Sequence, residues 1–138
     1  TIYQFNDLLN KNAAAYIRPD ISLAGGISGI RKIAAIAEAN YIGVIPHNPM
    51  SAVATAACAH LDASLHNVPV QEYPGDEWQK PKIDLVPDPL EFHSGYLQLR
   101  DKPGLGIELD DEAMADKLGA IFRPQAPTHS EDGTVVDW

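Results

Sequence analysis

Apolar positions follow two alternating periods along the first half of the chain. Residues 2–9 and 27–37 carry apolar side chains three and four positions apart, the spacing of one buried helical face. After each helical stretch comes a short apolar run, at residues 14–17 and 41–45, of the kind buried on both faces in a parallel sheet. The pattern therefore predicts helix, strand, helix and strand, in that order.

A third unit of the same kind follows. Ser51 is a suitable N-cap for an alanine-rich helix over residues 52–65, and residues 68–73 predict a third strand that ends near Glu72. Helices and strands that alternate at this spacing predict an α/β fold with parallel strands joined by right-handed crossovers. Both an open doubly wound sheet and a (β/α)8 barrel satisfy the pattern.

The character of the chain changes after residue 73, so residues 1–73 and 74–138 are expected to form separate parts. The second part begins rich in proline and charge, and residues 96–109 predict a β-hairpin with its turn at residues 101–104. Asp110 is expected to cap a short helix that runs through Leu118. The final residues, 123–138, show no period, and their apolar end is expected to pack onto other parts of the protein: Val135, Val136 and Trp138.

Composition limits the partners that the protein is expected to bind. The chain has 138 residues and a formal charge of −9, which argues against nucleic acid and anionic membrane surfaces as partners. It contains no apolar run near the roughly 20 residues of a membrane helix and no signal-like start, and it has a single cysteine, Cys58. We therefore expect a cytoplasmic protein. Because Thr1 opens directly on a helical stripe, we also expect the sequence to be part of a longer one.

Three polar residues stand where the three predicted strands end. They are Asp20, His47 and Glu72, separated by 27 and 25 residues, about one βα unit each. Parallel strands place these ends on one edge, where ligands of such folds bind, and neighbouring strands lie about 4.8 Å apart. A histidine whose second ring nitrogen is held by a carboxylate is a suitable general base near neutral pH. The alternatives are structural: Asp20 caps a turn, His47 is an ordinary edge residue, and Glu72 forms an ion pair.

Other polar residues fit structural roles better. His60 and His66 lie on or just after the third helix, away from the strand ends, and Cys58 is expected to be a small buried group. Residues 24–28, AGGIS, lack the spacing of a phosphate-binding loop and predict a turn. The acidic run at residues 108–112 has the wrong spacing for a calcium loop and suits the start of a helix.

Several segments together resemble one known group of enzymes. PDISLAGGISGIRKIAAIAEA, PHNPMSAVATAACAHL, NVPVQEY, KPGLGIELDDE and EDGTVVDW are similar, in order, to the C-terminal portion of the mandelate racemase and muconate lactonizing group of the enolase superfamily. Within that group the resemblance is to acid-sugar dehydratases of the D-galactonate dehydratase type. It covers nearly the whole chain.

The resemblance implies a (β/α)7β barrel whose sixth, seventh and eighth strands lie in residues 1–73, followed by a tail that returns to an α+β capping domain. It implies that Asp20 and His47 form the dyad that removes the proton next to a substrate carboxylate, and that Glu72 stabilises the enediolate. Enzymes of this superfamily use Mg²⁺ for that intermediate.

The resemblance also places the three carboxylate ligands of Mg²⁺, and the general acid, before Thr1. The protein is therefore expected to need its N-terminal half. The resemblance further implies a small anionic sugar acid as substrate and a homo-oligomer. A racemase or epimerase of the same superfamily, and a non-catalytic binding fragment, remain the alternatives.

Overall fold

The computed structural model describes residues 1–49 and 51–115. Its first part alternates helices and strands, and its second part contains two short helices and a hairpin. In chain order the elements are α1 (Ile2–Asn10), β1 (Tyr16–Ile17), α2 (Gly26–Ala39), β2 (Gly43–Val44), α3 (Ala52–Asp62), α4 (Lys82–Leu85), β3 (Phe92–His93), β4 (Tyr96–Leu97) and α5 (Asp111–Ala115).

β1 and β2 pair in parallel, with Tyr16 opposite Gly43 and Ile17 opposite Val44. The pairing continues beyond the short strands, because the backbone N–H of His47 donates to the carbonyl of Pro19 at 3.1 Å. A further parallel bridge joins Asp20 to His47. The predicted parallel α/β arrangement is therefore confirmed for the first two strands.

The apolar stripes of the helices cover these strands. One cluster joins α1 and α2 to the sheet, and a second lies between α2 and α3, where the small side chains of α3 allow close packing. Ser51 caps α3 as predicted, since its side chain accepts a hydrogen bond from the Ala54 N–H at 3.3 Å. The fully buried members of the two clusters include Leu9, Ile33, Val44, Ile30, Cys58 and Leu61.

The third predicted strand is wrong as a hydrogen-bonded strand. Residues 68–73 form no ladder with β2, although the Val44 N–H donates to the carbonyl of Asn67 at 2.8 Å. Pro69 has no N–H to contribute to a ladder. Side chains replace the missing bonds: the amide of Gln71 donates to the carbonyl of Pro46 at 3.0 Å. Glu72 is thus still held beside the end of β2.

The predicted hairpin exists at a different place. β3 and β4 pair antiparallel around Ser94 and Gly95, whose φ angles of 51° and 86° both lie in the left-handed region. That conformation suits a tight two-residue hairpin turn. The Ser-Gly pair favours such a turn, but the prediction did not use it. The strand expected after the turn at residues 101–104 does not form, and Arg100 just before that segment pairs with the carboxylate of Asp88.

The beginning of α5 matches its prediction. The Asp110 carboxylate accepts a hydrogen bond from the Ala113 N–H at 2.8 Å, so Asp110 caps the helix. Leu118 and the packing predicted for Val135, Val136 and Trp138 lie outside the described residues. None of the helices within residues 1–49 and 51–115 has the length and apolar character needed to cross a membrane.

Candidate active site

The backbone brings Asp20 and His47 together at the carboxyl ends of β1 and β2. The residue before a proline favours extended backbone, so Pro19 keeps the chain beyond β1 from turning early into helix. The parallel bridge between Asp20 and His47 then sets the two residues side by side. Both predicted members of the dyad therefore occupy the edge where the sequence placed them.

The two carboxylate oxygens of Asp20 have different hydrogen-bond partners. Oδ2 lies 2.8 Å from Nδ1 of His47, and Oδ1 accepts hydrogen bonds from the N–H groups of Ser22 and Leu23 at 2.8 and 3.1 Å. The Asp20 side chain is only 10% exposed, whereas that of His47 is 37% exposed. Asp20 thus caps a turn and holds the imidazole at once, so its structural role is observed, while its catalytic role stays a prediction.

Glu72 completes the site from the segment after α3. Its Oε2 lies 4.0 Å from Nε2 of His47 and accepts a hydrogen bond from the Asn48 N–H at 3.0 Å. Its Oε1 forms an ion pair with Arg18 at 2.7 Å. The Asn48 hydrogen bond, together with the positive charge of Arg18, lowers the pKa of the Glu72 carboxyl below its ordinary value. Glu72 is therefore ionised at neutral pH.

Arg18 is a site residue that the sequence reading missed. It stands two positions before Asp20 on a segment of extended backbone, and residues at that spacing share one face of a strand. This period-two relationship was the available signal. The guanidinium brings a cation to an edge that otherwise carries two carboxylates, and it pairs with one of them, Glu72.

With this geometry established, comparison with known proteins identifies the family. The model for the enolase C-terminal domain-like family matches residues 1–113. The chain belongs to the enolase C-terminal domain-like family. Its parallel strands are thus part of a TIM-barrel architecture, as the family resemblance implied, which decides between the two folds that the sequence pattern left open.

Curated relatives agree with this assignment. D-galactonate dehydratases from Xanthomonas axonopodis pv. citri and Cronobacter sakazakii are 36% and 38% identical to the chain over 143 aligned residues. The alignments cover 99% of this chain and 37% of each relative. The chain thus spans little more than a third of the length of these dehydratases.

Solved structures of enolase-superfamily proteins share the fold. An enolase from Agrobacterium radiobacter with bound sodium and L-malate has a TM-score of 0.85 and 36% identity, and the match covers 98% of this chain and 37% of that one. An enolase from Pantoea ananatis with bound D-gluconate and magnesium has a TM-score of 0.75 and 32% identity, over 84% of this chain and 28% of that one.

The described residues of this enolase C-terminal domain-like chain do not themselves form a magnesium site. Across residues 1–49 and 51–115, no three His, Cys, Asp or Glu side chains are grouped so that they could hold a metal ion. At the strand ends, both Glu72 and Asp20 already have partners, in Arg18 and His47. Magnesium would need carboxylates from elsewhere, because it binds through oxygen ligands.

The structure does not bring the remaining candidates to this edge. His66 lies near Gly43 and Tyr16, at the opposite ends of the strands, and His60 is half-buried on α3. Cys58 is fully buried, and burial raises the pKa of its thiol to about 12. Of residues 24–28, only Ala24 and Gly25 belong to a turn, with Gly25 at a φ of 94°, and the other three already form the start of α2, so the turn predicted there is confirmed only in its first part. The acidic run overlaps the start of α5 as predicted.

Proposed function

We propose that the full-length protein is an acid-sugar dehydratase that acts on a small aldonate of the D-galactonate type. His47 is the general base, Asp20 orients it and Glu72 stabilises the intermediate. The observation that carries the proposal is one arrangement: Nδ1 of His47 is 2.8 Å from Asp20, and Nε2 is 4.0 Å from Glu72. Dehydratases that are 36–38% identical to the chain support the substrate class.

The orientation of His47 defines the base. When Nδ1–H donates to the Asp20 carboxylate, the lone pair of Nε2 remains available for a proton. His47 would take the proton at C2, next to the substrate carboxylate, and the electron pair of that C–H bond would pass into the enediolate. Departure of the 3-hydroxyl with a proton, as water, then leaves an enol, which becomes the 2-keto-3-deoxy acid when C3 gains a proton and the C2 hydroxyl loses one. The acid that supplies this proton would lie outside the described residues.

Glu72 has to be protonated before it can donate a hydrogen bond to the enediolate. In the chain as described, Asn48 and Arg18 favour its ionised form. A substrate carboxylate close to Glu72 would raise the pKa of the Glu72 carboxyl, because like charges disfavour ionisation, and would also attract Arg18. Binding of an anionic substrate would therefore prepare Glu72 for its role.

The three residues cannot supply the whole rate acceleration. A positioned base contributes about 10²–10⁴-fold, whereas enzymes typically lower barriers by about 8–23 kcal/mol. We therefore propose that Mg²⁺, held by carboxylates outside the described residues, is required. When bound, such an ion supplies electrostatic stabilisation of developing negative charge on the substrate. The enolase from Pantoea ananatis with gluconate and magnesium supports this requirement.

Solvent-deuterium exchange at C2 tests the base. With a panel of aldonates and Mg²⁺, the full-length protein should exchange the C2 proton and release 2-keto-3-deoxy acid, and the His47→Asn variant should do neither. His66→Asn, which changes an exposed histidine at the other end of the strands, is the matched control. Full exchange in His47→Asn would contradict the proposal. Exchange with inversion at C2 and no loss of water would instead indicate a racemase or epimerase.

A further inference from the structure

A chain of buried polar side chains lies directly behind the candidate active site. It consists of Asn48, Thr55 and Glu77, which are 1%, 1% and 2% exposed. The Asn48 side-chain amide donates to the Thr55 hydroxyl at 2.6 Å, and the Thr55 hydroxyl donates to Oε1 of Glu77. These residues come from the loop after β2, from α3 and from the tail, so the chain of bonds ties three separate segments together.

The direction of these hydrogen bonds is fixed by chemistry. An amide NH2 group can only donate, and a hydroxyl has one proton. Thr55 therefore accepts a hydrogen bond from Asn48 and donates a hydrogen bond to Glu77. A buried carboxyl is costly unless it is bonded, and Oε2 of Glu77 has no hydrogen-bond partner among the described residues. An apolar residue would fill this position at lower cost. The carboxyl therefore calls for a reason beyond packing.

The charged and titratable groups around Glu77 belong to its own segment and to the start of α4. The negative charge of Asp76 opposes ionisation of Glu77, whereas Lys82, which pairs with Asp76 at 2.8 Å, and the Tyr73 hydroxyl favour it. Burial has the largest effect and raises the pKa of the Glu77 carboxyl. From α3, only the Thr55 hydroxyl bonds to it directly.

The Asn48 end of this series of hydrogen-bonded side chains reaches the candidate active site. Asn48 follows His47 in sequence, and its backbone N–H is the group that holds Oε2 of Glu72 at 3.0 Å. When Thr55 fixes the Asn48 side chain, it also fixes the peptide that faces Glu72. Small displacements of catalytic groups are expensive, since a shift of about 1 Å can cost about 100-fold in rate.

We propose that Thr55 and Glu77 are positioning residues, which hold Asn48 so that its backbone N–H sets Glu72 against His47. This proposal rests on the proposed dehydratase function for its effect on rate, but not for its effect on geometry. Neither residue touches the substrate. Their contribution is to keep the loop after β2 in one conformation.

Substitutions at Thr55 separate positioning from packing. In the full-length protein, Thr55→Val keeps the shape and removes the hydroxyl, Thr55→Ser restores the hydroxyl, and Glu77→Gln removes the charge at the end of the chain of bonds. Ser64→Ala is the matched control, because it removes a hydroxyl that bonds to the Leu61 carbonyl at the other end of α3. We expect Thr55→Val to lower kcat about 10- to 100-fold with little change in KM, and Thr55→Ser to recover most of it.

A structural role alone would lower the melting temperature and leave kcat unchanged in the folded variant. That result for both Thr55→Val and Glu77→Gln would overturn the proposal. Amide NMR provides a second measurement that does not depend on activity: the Asn48 backbone N–H signal should shift in Thr55→Val and stay in place in Ser64→Ala.

The two measurements also separate this proposal from the dehydratase function. If the wild-type protein shows no exchange with any aldonate, the proposed function fails while the NMR test still decides the positioning role. If the wild-type protein is active and the Asn48 signal does not respond to Thr55→Val, the positioning role alone fails.

Discussion

The guanidinium of Arg18 lies 2.7 Å from Oε1 of Glu72, so this carboxylate beside the end of β2 is held in an ion pair. The other oxygen of Glu72 is held by the Asn48 N–H and faces Nε2 of His47. The Asn48 hydrogen bond and the Arg18 charge both favour the ionised form of Glu72, and the Asn48 N–H also holds Oε2 beside His47.

Removal of the Arg18 charge should raise the pKa of Glu72. In Arg18→Met we expect the Glu72 carboxyl to titrate at higher pH than in the wild-type protein, although still influenced by the Asn48 hydrogen bond. Carbon-13 NMR of labelled glutamate carboxyls measures this directly. Arg31→Gln, which removes an exposed charge from α2, is the control. An identical Glu72 titration in Arg18→Met and wild type would show that the ion pair does not form in solution.

The same shift predicts how stability changes in acid. A carboxyl whose folded-state pKa is lowered stabilises the fold above its unfolded pKa, and this contribution is lost as pH falls through the folded pKa. In wild type the Glu72 contribution should therefore persist to lower pH than in Arg18→Met. Urea unfolding of the full-length proteins at a series of acidic pH values tests the sign: wild type should lose more stability on acidification than Arg18→Met, and an equal or smaller loss in wild type would contradict the prediction.

Asp62 should give the pH dependence of stability the opposite sign to that of Glu72. It ends α3 beside a cavity of about 380 Å³ that Tyr73, Phe92 and Leu97 also line, and its Oδ1 is buried without a hydrogen-bond partner among the described residues. Burial raises the pKa of Asp62 to about 7. A raised carboxyl pKa means that stability falls as pH increases from the unfolded value, near 4, to about 7.

The Asp62→Asn variant should therefore be more stable than wild type at pH 8, by about 1–3 kcal/mol, and similar to it at pH 4. Chemical unfolding at the two pH values measures the difference. Asp7→Asn changes an exposed carboxylate that pairs with Lys11 and should lack this pH dependence. If Asp62→Asn gains no stability at pH 8, then Asp62 is solvated or paired in the protein.

The sequence was sufficient to predict the site wherever backbone periodicity determines position. Asp20 and His47 follow strands with clear apolar patterns, and parallel pairing then brings their side chains together. Residues 68–73 have the composition of a strand, but the sequence could not show that Gln71 would bond to the Pro46 carbonyl in place of a ladder. That bond depends on a side-chain conformation between segments 25 residues apart.

The tail was harder to predict because its turns are set by single residues. The hairpin depends on positive φ at Ser94 and Gly95, and the more prominent Pro-Gly pair at residues 103–104 drew the prediction away from it. Glu77 was missed for a different reason. It reads as one charged residue in a polar stretch, and only packing shows that it is buried against Thr55.

Cys58 should be unreactive until the protein unfolds. Its side chain is fully buried in α3, and the raised pKa of about 12 leaves very little thiolate at pH 8. We expect alkylation by iodoacetamide in the native protein to be at least about 100-fold slower than in 6 M guanidinium. Mass spectrometry of the peptide that contains Cys58 measures both rates. Comparable rates would mean that α3 opens readily in the native state.

Both carboxylate oxygens of Asp20 accept hydrogen bonds, so its replacement by asparagine should strongly reduce either activity or stability. One oxygen accepts from the Ser22 and Leu23 N–H groups and the other from His47. Asparagine has a single acceptor oxygen, and its amide N–H2 group cannot accept from Nδ1–H. In Asp20→Asn the side chain either keeps the turn and favours the wrong imidazole tautomer, or keeps the tautomer and loses the turn.

If the first outcome holds, we expect kcat of the full-length protein in the proposed reaction to fall about 10²- to 10⁴-fold while the protein stays folded. Nitrogen-15 NMR of the imidazole then shows the proton moved from Nδ1 to Nε2. If the second holds, the tautomer is retained and the melting temperature falls, as amide exchange at Ser22 and Leu23 would report. Asp7→Asn again serves as the control for a lost charge. Full activity in Asp20→Asn, with an unchanged tautomer and an unchanged melting temperature, would remove the basis for a dyad, because it would mean that the 2.8 Å contact contributes nothing to the imidazole.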